Sequence, residues 1–372
     1  MPLSSIALTM LHPQVSPLQL MQLYNAVGNC DDIVNNYKDL SDIIPEISDR
    51  FQGIMQSMPD ALRRAEQEIA FCEKHSIEIL TYDNPHFPQR LKECDDAPLV
   101  LYYRGNTDLN CQRIINIIGT RHCTSYGQDL IRKLVADLHA MYPDILIVSG
   151  LAYGVDIHAH RNALQQGMQT VGVLAHGLDM IYPATHRETA KDMTRQGGLL
   201  TEYPSGTRPE KRNFVQRNRI VAGMSDACVL VESASRGGGL ITASISSNYN
   251  REVFAFPGNI GAPYSEGCNN LIRDKGAHLV TSASDILDFL HWSDSKTLEN
   301  ARSKGIEREL FPDLTNDEQT VVNALQKHGD QQINILAINT QMPISSITAT
   351  LFTLEMKGVV RPMAGGCYHL LG

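Results

Sequence analysis

The residues best equipped for chemistry lie between Gly197 and Asn259. Arg208, Lys211, Arg212, Arg217 and Arg219 fall within twelve residues, with Glu210 the sole acid among them and Phe214 in their midst. Downstream, the apolar run Ala227–Val231 ends on Glu232 and meets Arg236-Gly237-Gly238-Gly239 before a helical segment that carries Thr242. A strand, a glycine loop and a helix start together make an anion site, because free backbone N–H groups and the positive end of the helix dipole converge. Cations beside such a site point to phosphate, and an aromatic among them points to phosphates that carry bases. On charge alone, the cations are equally compatible with a solvated loop.

Other chemistries lack their residues. No GxxxxGK[ST] or GxSxG is present, which removes a P-loop NTPase and a nucleophile elbow. After the first strand of the central region the chain reads Gly119-Thr120-Arg121, with a cation where a dinucleotide fold places glycines. Arg121 there favours a single phosphate over a pyrophosphate lying flat on the backbone. His158 and His160 stand two apart on a helix and so face different sides, which argues against a metal pair. No cofactor is implied. Glu232 has three open readings: general base, acceptor for loop amides, or partner of a basic side chain. A nucleotide-phosphate hydrolase remains the rival from another class, although no acid follows Gly237–Gly239 where that chemistry wants one.

Positioning these residues takes a sheet. Apolar runs at Ile114–Ile118, Ile145–Val148, Thr170–Leu174, Leu199–Thr201, Ala227–Val231, Glu252–Phe256 and His278–Val280 alternate with helical patterns. That alternation predicts an α/β fold with a doubly wound, mostly parallel sheet. In such a sheet ligands bind beyond the carboxyl ends of the strands, near the point where strand order reverses. Those ends carry Gly119-Thr120-Arg121, Ser149-Gly150, His176-Gly177, Glu232–Gly239 and Pro257-Gly258, so the glycines and cations are expected at one rim.

The flanks differ in period. Leu20, Met21, Leu23, Tyr24 and Val27 recur at helical spacing after Ser16-Pro17, which predicts a helical domain over 1–75 ahead of the sheet domain at 76–292. Residues 293–312 are charged and weakly patterned, as a linker is. From 313 to 372, three helical periods and a hairpin turning at Gly365-Gly366 predict a winged helix. Its third helix carries a single Lys357, too little charge for reading DNA bases, so a protein-contact or spacer role is at least as fitting.

Composition bounds the rest. The 372 residues are 42% hydrophobic and 20% charged, and the net charge is −9. A positive patch on an acidic chain must be a focused site if it binds a polyanion. Eight scattered cysteines with no CxxC pair read as reduced thiols of a cytoplasmic protein. No apolar run approaches a membrane span, and the first residues lack the basic and apolar regions of a signal peptide.

In combination the motifs resemble those of the DNA-processing protein A (DprA/Smf) family. They are IIGTRHCTSYG (117–127), VSGLAYGVDIHAH (148–160), VLAHGLDMIYP (173–183), GLLTEYPSGTRPEKRNFVQRNRIVAGMSD (198–226), VLVESASRGGGLITA (229–243), VFAFPGN (253–259) and SEGCNNLIRDKGAHLV (265–280). The resemblance implies a Rossmann-like DNA-binding domain between a sterile-alpha-motif-like domain and a winged helix. It also implies single-stranded DNA binding without turnover, loading of the RecA recombinase in natural transformation, and a homodimer. By motif, Arg121, Lys211, Phe214, Arg217, Asn218 and Arg219 are the pocket residues it implies. Gly119, Thr120, Ser149, Gly150, Gly237, Gly238, Gly239 and Thr242 join them as phosphate-binding candidates. Two positions depart from the family pattern: Val215 follows Phe214 where a proline is usual, and the glycine loop lacks a frequent serine.

Overall fold

The computed structural model describes residues 2–40, 44, 48–292, 314–357, 359–363 and 367–370. The expected linker and the Gly365-Gly366 turn lie outside the described residues. By its contacts the chain forms two compact units, Met1–Ile286 and Leu287–Gly372.

Nine strands build the sheet of the first unit: β1 (Glu78–Thr81), β2 (Val100–Gly105), β3 (Ile114–Ile118), β4 (Leu146–Ser149), β5 (Thr170–Val173), β6 (Gly197–Thr201), β7 (Ala227–Leu230), β8 (Glu252–Ala255) and β9 (His278–Leu279). Their order is β1-β2-β6-β5-β4-β3-β7-β8-β9. The β1–β2 and β2–β6 pairs are antiparallel and the other six are parallel. Every residue of β3, β4, β5, β6 and β7 is buried. Continuous apolar strands of this kind belong in a sheet covered on both faces. From β3 the chain works outward through β4, β5 and β6, then returns to the other flank of β3 with β7, β8 and β9. Strand order therefore reverses between β3 and β7, as the alternating pattern anticipates.

The helices that matter for the site follow these strands. α7 (Ser125–Met141) is capped by the Thr124 hydroxyl, which accepts from the Gly127 N–H, and it buries Ile131, Leu134, Val135 and Leu138. α8 (Val155–Gln166) starts after Gly154, whose φ of +77° suits only glycine without strain. α10 (Lys211–Gly223) precedes β7, and α11 (Gly238–Asn248) follows it.

Ahead of the sheet run α1 (Pro2–Thr9), α2 (Pro17–Val27), α3 (Cys30–Asn35), α4 (Asp49–Met55) and α5 (Met58–Lys74), and α6 (Gln89–Lys92) lies between β1 and β2. Ser16 and Gln19 form a capping box at α2, each side chain serving the other's backbone. Ile6, Leu8, Met55 and Met58 share one buried cluster with Leu80 and Tyr102 of the sheet. α9 (Arg187–Met193), α12 (Glu266–Arg273) and α13 (Ala283–Phe289) complete the series up to the second unit. Glu68 of α5 is 2% exposed and accepts from the Ser205 N–H (2.9 Å) and hydroxyl (2.6 Å) while pairing with Arg64 (2.9 Å). That cluster fixes the loop leading into α10.

The second unit contains α14 (Asn316–His328), β10 (Gln331–Gln332), α15 (Ile333–Thr340), α16 (Ile344–Met356), β11 (Val360–Met363) and β12 (Cys367–Leu370). The strands pair antiparallel in the order β10-β12-β11, a winged helix with a short strand that the periodicity does not show. Val321, Val322, Leu325, Leu336, Ile347, Leu351 and Leu354 form its core. Among the described residues no single helix is long and apolar enough to cross a membrane.

Candidate functional site

The reversal between β3 and β7 opens a crevice at their carboxyl ends. The Thr120 N–H donates to the Glu232 carbonyl at 2.7 Å, which ties the loop after β3 to the loop after β7. The Glu232 carboxylate accepts from the Thr124 N–H (2.8 Å) and hydroxyl (2.5 Å) and is buried. Of its three readings the geometry favours acceptor of loop hydrogen bonds, since it anchors the start of α7.

The crevice is a cavity of about 650 Å³, and its cations are Arg121, Lys211, Arg217 and Arg236. The Arg121 guanidinium lies 5.3 Å from the centroid of the Phe214 ring. Tyr182 flanks the same ring, centroid to centroid 5.8 Å. Lys211 opens α10 and is exposed, and Phe214 and Asn218 follow it at the helical spacings i+3 and i+7. That spacing places the three on one face, and all three line the cavity.

Across from them begins α11. Its N-cap Gly237 has no side-chain oxygen, so the first amides of the helix have no partner in their own turn. Gly238 opens onto free space, whereas a Cβ on Gly239 would come within 2.8 Å of Leu230 and 3.2 Å of the Gly119 Cα. The two glycine loops therefore touch because neither carries a side chain. Thr242 also lines the cavity, but its hydroxyl donates to the Gly238 carbonyl at 3.3 Å and stays within the helix.

The floor is ionic. Arg217 is 4% exposed, and its guanidinium donates to the carbonyls of Gly150 (2.6 Å) and Val173. Asp156, in the first turn of α8, accepts from the Ala152 N–H at 3.2 Å. Burial pushes the Asp156 carboxyl above its usual range, and the positive charge of Arg217 pulls it back. Burial likewise draws Arg217 downward, with Asp156 opposing. A Cβ on Gly150 would stand 2.5 Å from both the Arg217 Nη2 and the Asp156 Oδ2, so the pair closes over a position only glycine fits.

Three expected site residues are placed otherwise. Arg217 lines the cavity, but as a buried strut: its Nη1 donates to two main-chain carbonyls and its Nε to the Asn218 side chain at 3.4 Å. Arg219 points away from the cavity: it donates to the Asp96 carbonyl (2.6 Å) and forms a buried ion pair with Glu202. Two residues apart on a helix, Arg217 and Arg219 cannot share a face. Ser149 is wholly buried, and its hydroxyl donates to the Ile117 carbonyl at 2.6 Å, joining β4 to β3. Of the remaining cations in the run, Arg212 contacts the His12 ring at 3.0 Å, and Arg208 is exposed outside the cavity lining.

Asp156, Tyr182, His122 and Arg236 line the cavity without being among the expected site residues. Arg236 had a signal, being adjacent to the glycine loop. His122 had the same kind of signal, standing next to Arg121; Asp156 and Tyr182 had none, because each comes from a βα connection of its own. The His160 ring is fully buried, with Nδ1 2.7 Å from the Thr170 hydroxyl, and burial with a lesser push from Arg217 lowers its pKa to about 3. Among the described residues no cluster of His, Cys, Asp and Glu could hold a metal ion.

Comparison with known proteins gives consistent matches. The family model "DNA recombination-mediator protein A" matches residues 78–291, and the "DprA winged helix domain" model matches 309–366. Protein Smf of Synechocystis sp. is 32% identical over 331 residues, covering 80% of this chain and 82% of its own. The X-ray structure of DNA processing protein A from Streptococcus pneumoniae superposes with a TM-score of 0.60 at 30% identity, over 74% of this chain and 98% of that one. DNA processing protein A from Helicobacter pylori, described for its unique single-stranded DNA binding mode, gives a TM-score of 0.53 at 28% identity, over 58% of this chain and 96% of that one.

Proposed function

We propose, for a chain that belongs to the DNA recombination-mediator protein A family, that the β3–β7 crevice binds single-stranded DNA and that the bound strand is passed to the RecA recombinase, as in natural transformation. The observation that carries the binding step is Arg121 over Phe214 at 5.3 Å, beside Lys211 and the uncapped start of α11. Phosphates meet Arg121, Lys211, Arg236 and the α11 amides. A base stacks on the Phe214–Tyr182 edge. Stacking is tolerant of base identity, and nothing in the lining requires that a base edge be read. The single-stranded DNA binding of the Helicobacter pylori relative supports this reading. Transfer to RecA and pairing of two copies of this chain belong to the proposal on the strength of the family alone.

The rival, a nucleotide-phosphate hydrolase, needs a carboxylate free to move a proton. Asp156, the carboxyl group in the lining, is engaged with the Ala152 amide and the Arg217 charge, and Glu232 behind it is held by Thr124. Release of free base from nucleoside monophosphates would revive it.

The test is fluorescence anisotropy with single-stranded and duplex oligonucleotides across a salt series. Single strands should bind more tightly, with affinity falling steeply as salt rises. Arg121→Ala and Lys211→Ala should weaken binding to all sequences alike and each shallow the salt slope by about one phosphate contact. Parent-like affinity in both variants at low salt would refute the site.

A further inference from the structure

A second cavity of about 620 Å³ lies on the far side of the loop after β3. Arg121 and His122 line both cavities, so this loop is the ridge between them. The ridge is braced from below: a Cβ on Gly154 would fall 2.7 Å from the Arg121 Cα, so backbone lies directly on backbone there. Beyond the ridge stand Tyr153 just ahead of α8, His158 and Arg161 within it, and His186 ahead of α9. Asp and Glu do not occur in the lining, whereas the first cavity has Asp156.

The chemistry of the first cavity recurs here with different residues. Tyr153 is 47% exposed, and its ring meets His186 edge-on with centroids 4.9 Å apart, which leaves a face toward solvent. The Tyr153 hydroxyl accepts from Thr185 at 3.3 Å, so the ring is held at both ends. Arg161 is exposed, with one N–H donated to Thr189 at 3.2 Å. Burial, and secondarily the Arg161 charge, lowers His158, and burial also lowers His186, so neither adds to the positive charges of Arg121 and Arg161 at neutral pH. An aromatic platform beside fixed cations is what a single strand requires.

We infer that one DNA strand crosses the Arg121–His122 ridge and continues into the second cavity, where Tyr153 stacks a further base and Arg161 meets a further phosphate. The inference rests on the binding site proposed for the first cavity. Arg121 then serves the phosphate at the crossing, shared by both halves of the track.

The test compares oligothymidylates of about 4 and about 12 nucleotides, the range that single-stranded-DNA-binding folds span. Tyr153→Ala should weaken the long oligonucleotide about 5- to 150-fold, the loss of one stacking platform, and leave the short one unchanged. Arg161→Gln should weaken the long one and lower its salt slope alone. In the parent protein, 5-iodouracil placed along the long strand should photo-cross-link to Tyr153 at one position and to Phe214 at another, a readout that no folding defect of a variant can mimic. Parent-like affinity for both lengths in both variants, with no cross-link to Tyr153, overturns the track but leaves the first site standing. Equal losses at both lengths also overturn it. If the parent binds neither length, the first site fails as well.

Discussion

Arg121, three residues past the end of β3, and Phe214, on the second turn of α10, meet with guanidinium and ring centroid 5.3 Å apart. Each positions the other. The ring faces the cation, and the cation is held at the mouth of the cavity. Removing Arg121 therefore costs a charge and the contact that orients the ring, whereas removing Phe214 costs the stacking platform alone.

Phe214→Ala is expected to cost about 1–3 kcal/mol of single-strand affinity at fixed salt, while Phe214→Trp keeps most of it. Because Phe214 carries no charge, its loss should leave the salt slope nearly unchanged, unlike that of Arg121. Anisotropy titrations at several salt concentrations measure both quantities.

Arg219 should behave as a stability residue. Arg219→Met leaves Glu202 buried without its partner, a loss of about 3–5 kcal/mol for a broken buried pair. Urea unfolding should show this loss, and affinity per folded molecule should stay at the parent value. A drop in affinity without a drop in stability would return Arg219 to the DNA site.

Gly150→Ala introduces a methyl 2.5 Å from the Arg217 and Asp156 termini. Those groups cannot swing aside, since main-chain carbonyls hold Arg217 and the Ala152 amide holds Asp156. Overpacking of about 1–3 kcal/mol is expected in thermal or urea unfolding, with weakened DNA binding because the floor beneath Arg121 shifts.

Acid should loosen the fold through the buried histidines. The His160 pKa is about 3 in the folded chain against 6.5 in the unfolded one, so below 6.5 the unfolded state binds more protons and stability falls with pH. His176 and His186 are lowered as well and add to the slope. Each histidine contributes up to about 1.4 kcal/mol per pH unit once the pH lies between its two values. Burial raises the carboxyls of Asp156 and Glu202, which act in the opposite sense at lower pH. Urea midpoints should drop between about pH 7 and about pH 5.5, and His160→Gln should flatten that drop while lowering stability at pH 7.

The sequence alone determined the mostly parallel sheet and the edge of it at which the glycine loops and cations meet. A period of one strand per helix and long apolar runs are local signals, and strand ends carry their loops wherever the sheet goes. It also singled out Lys211, Phe214 and the glycine loops, since these lie within single segments, and the fold brings them to one cavity. What it could not give was direction on the helix and company across the crevice. Arg217 and Arg219 look alike in the chain, yet one braces the floor and the other pairs with Glu202, because helical rotation separates them and only the packed fold supplies each partner. Tyr153 and Asp156 come from the connection after β4 and Tyr182 from the one after β5, and no sequence spacing links the two connections. Their meeting around Arg121 is set by strand order, β4 and β5 on one side of β3 and β7 on the other, and strand order is decided by tertiary packing.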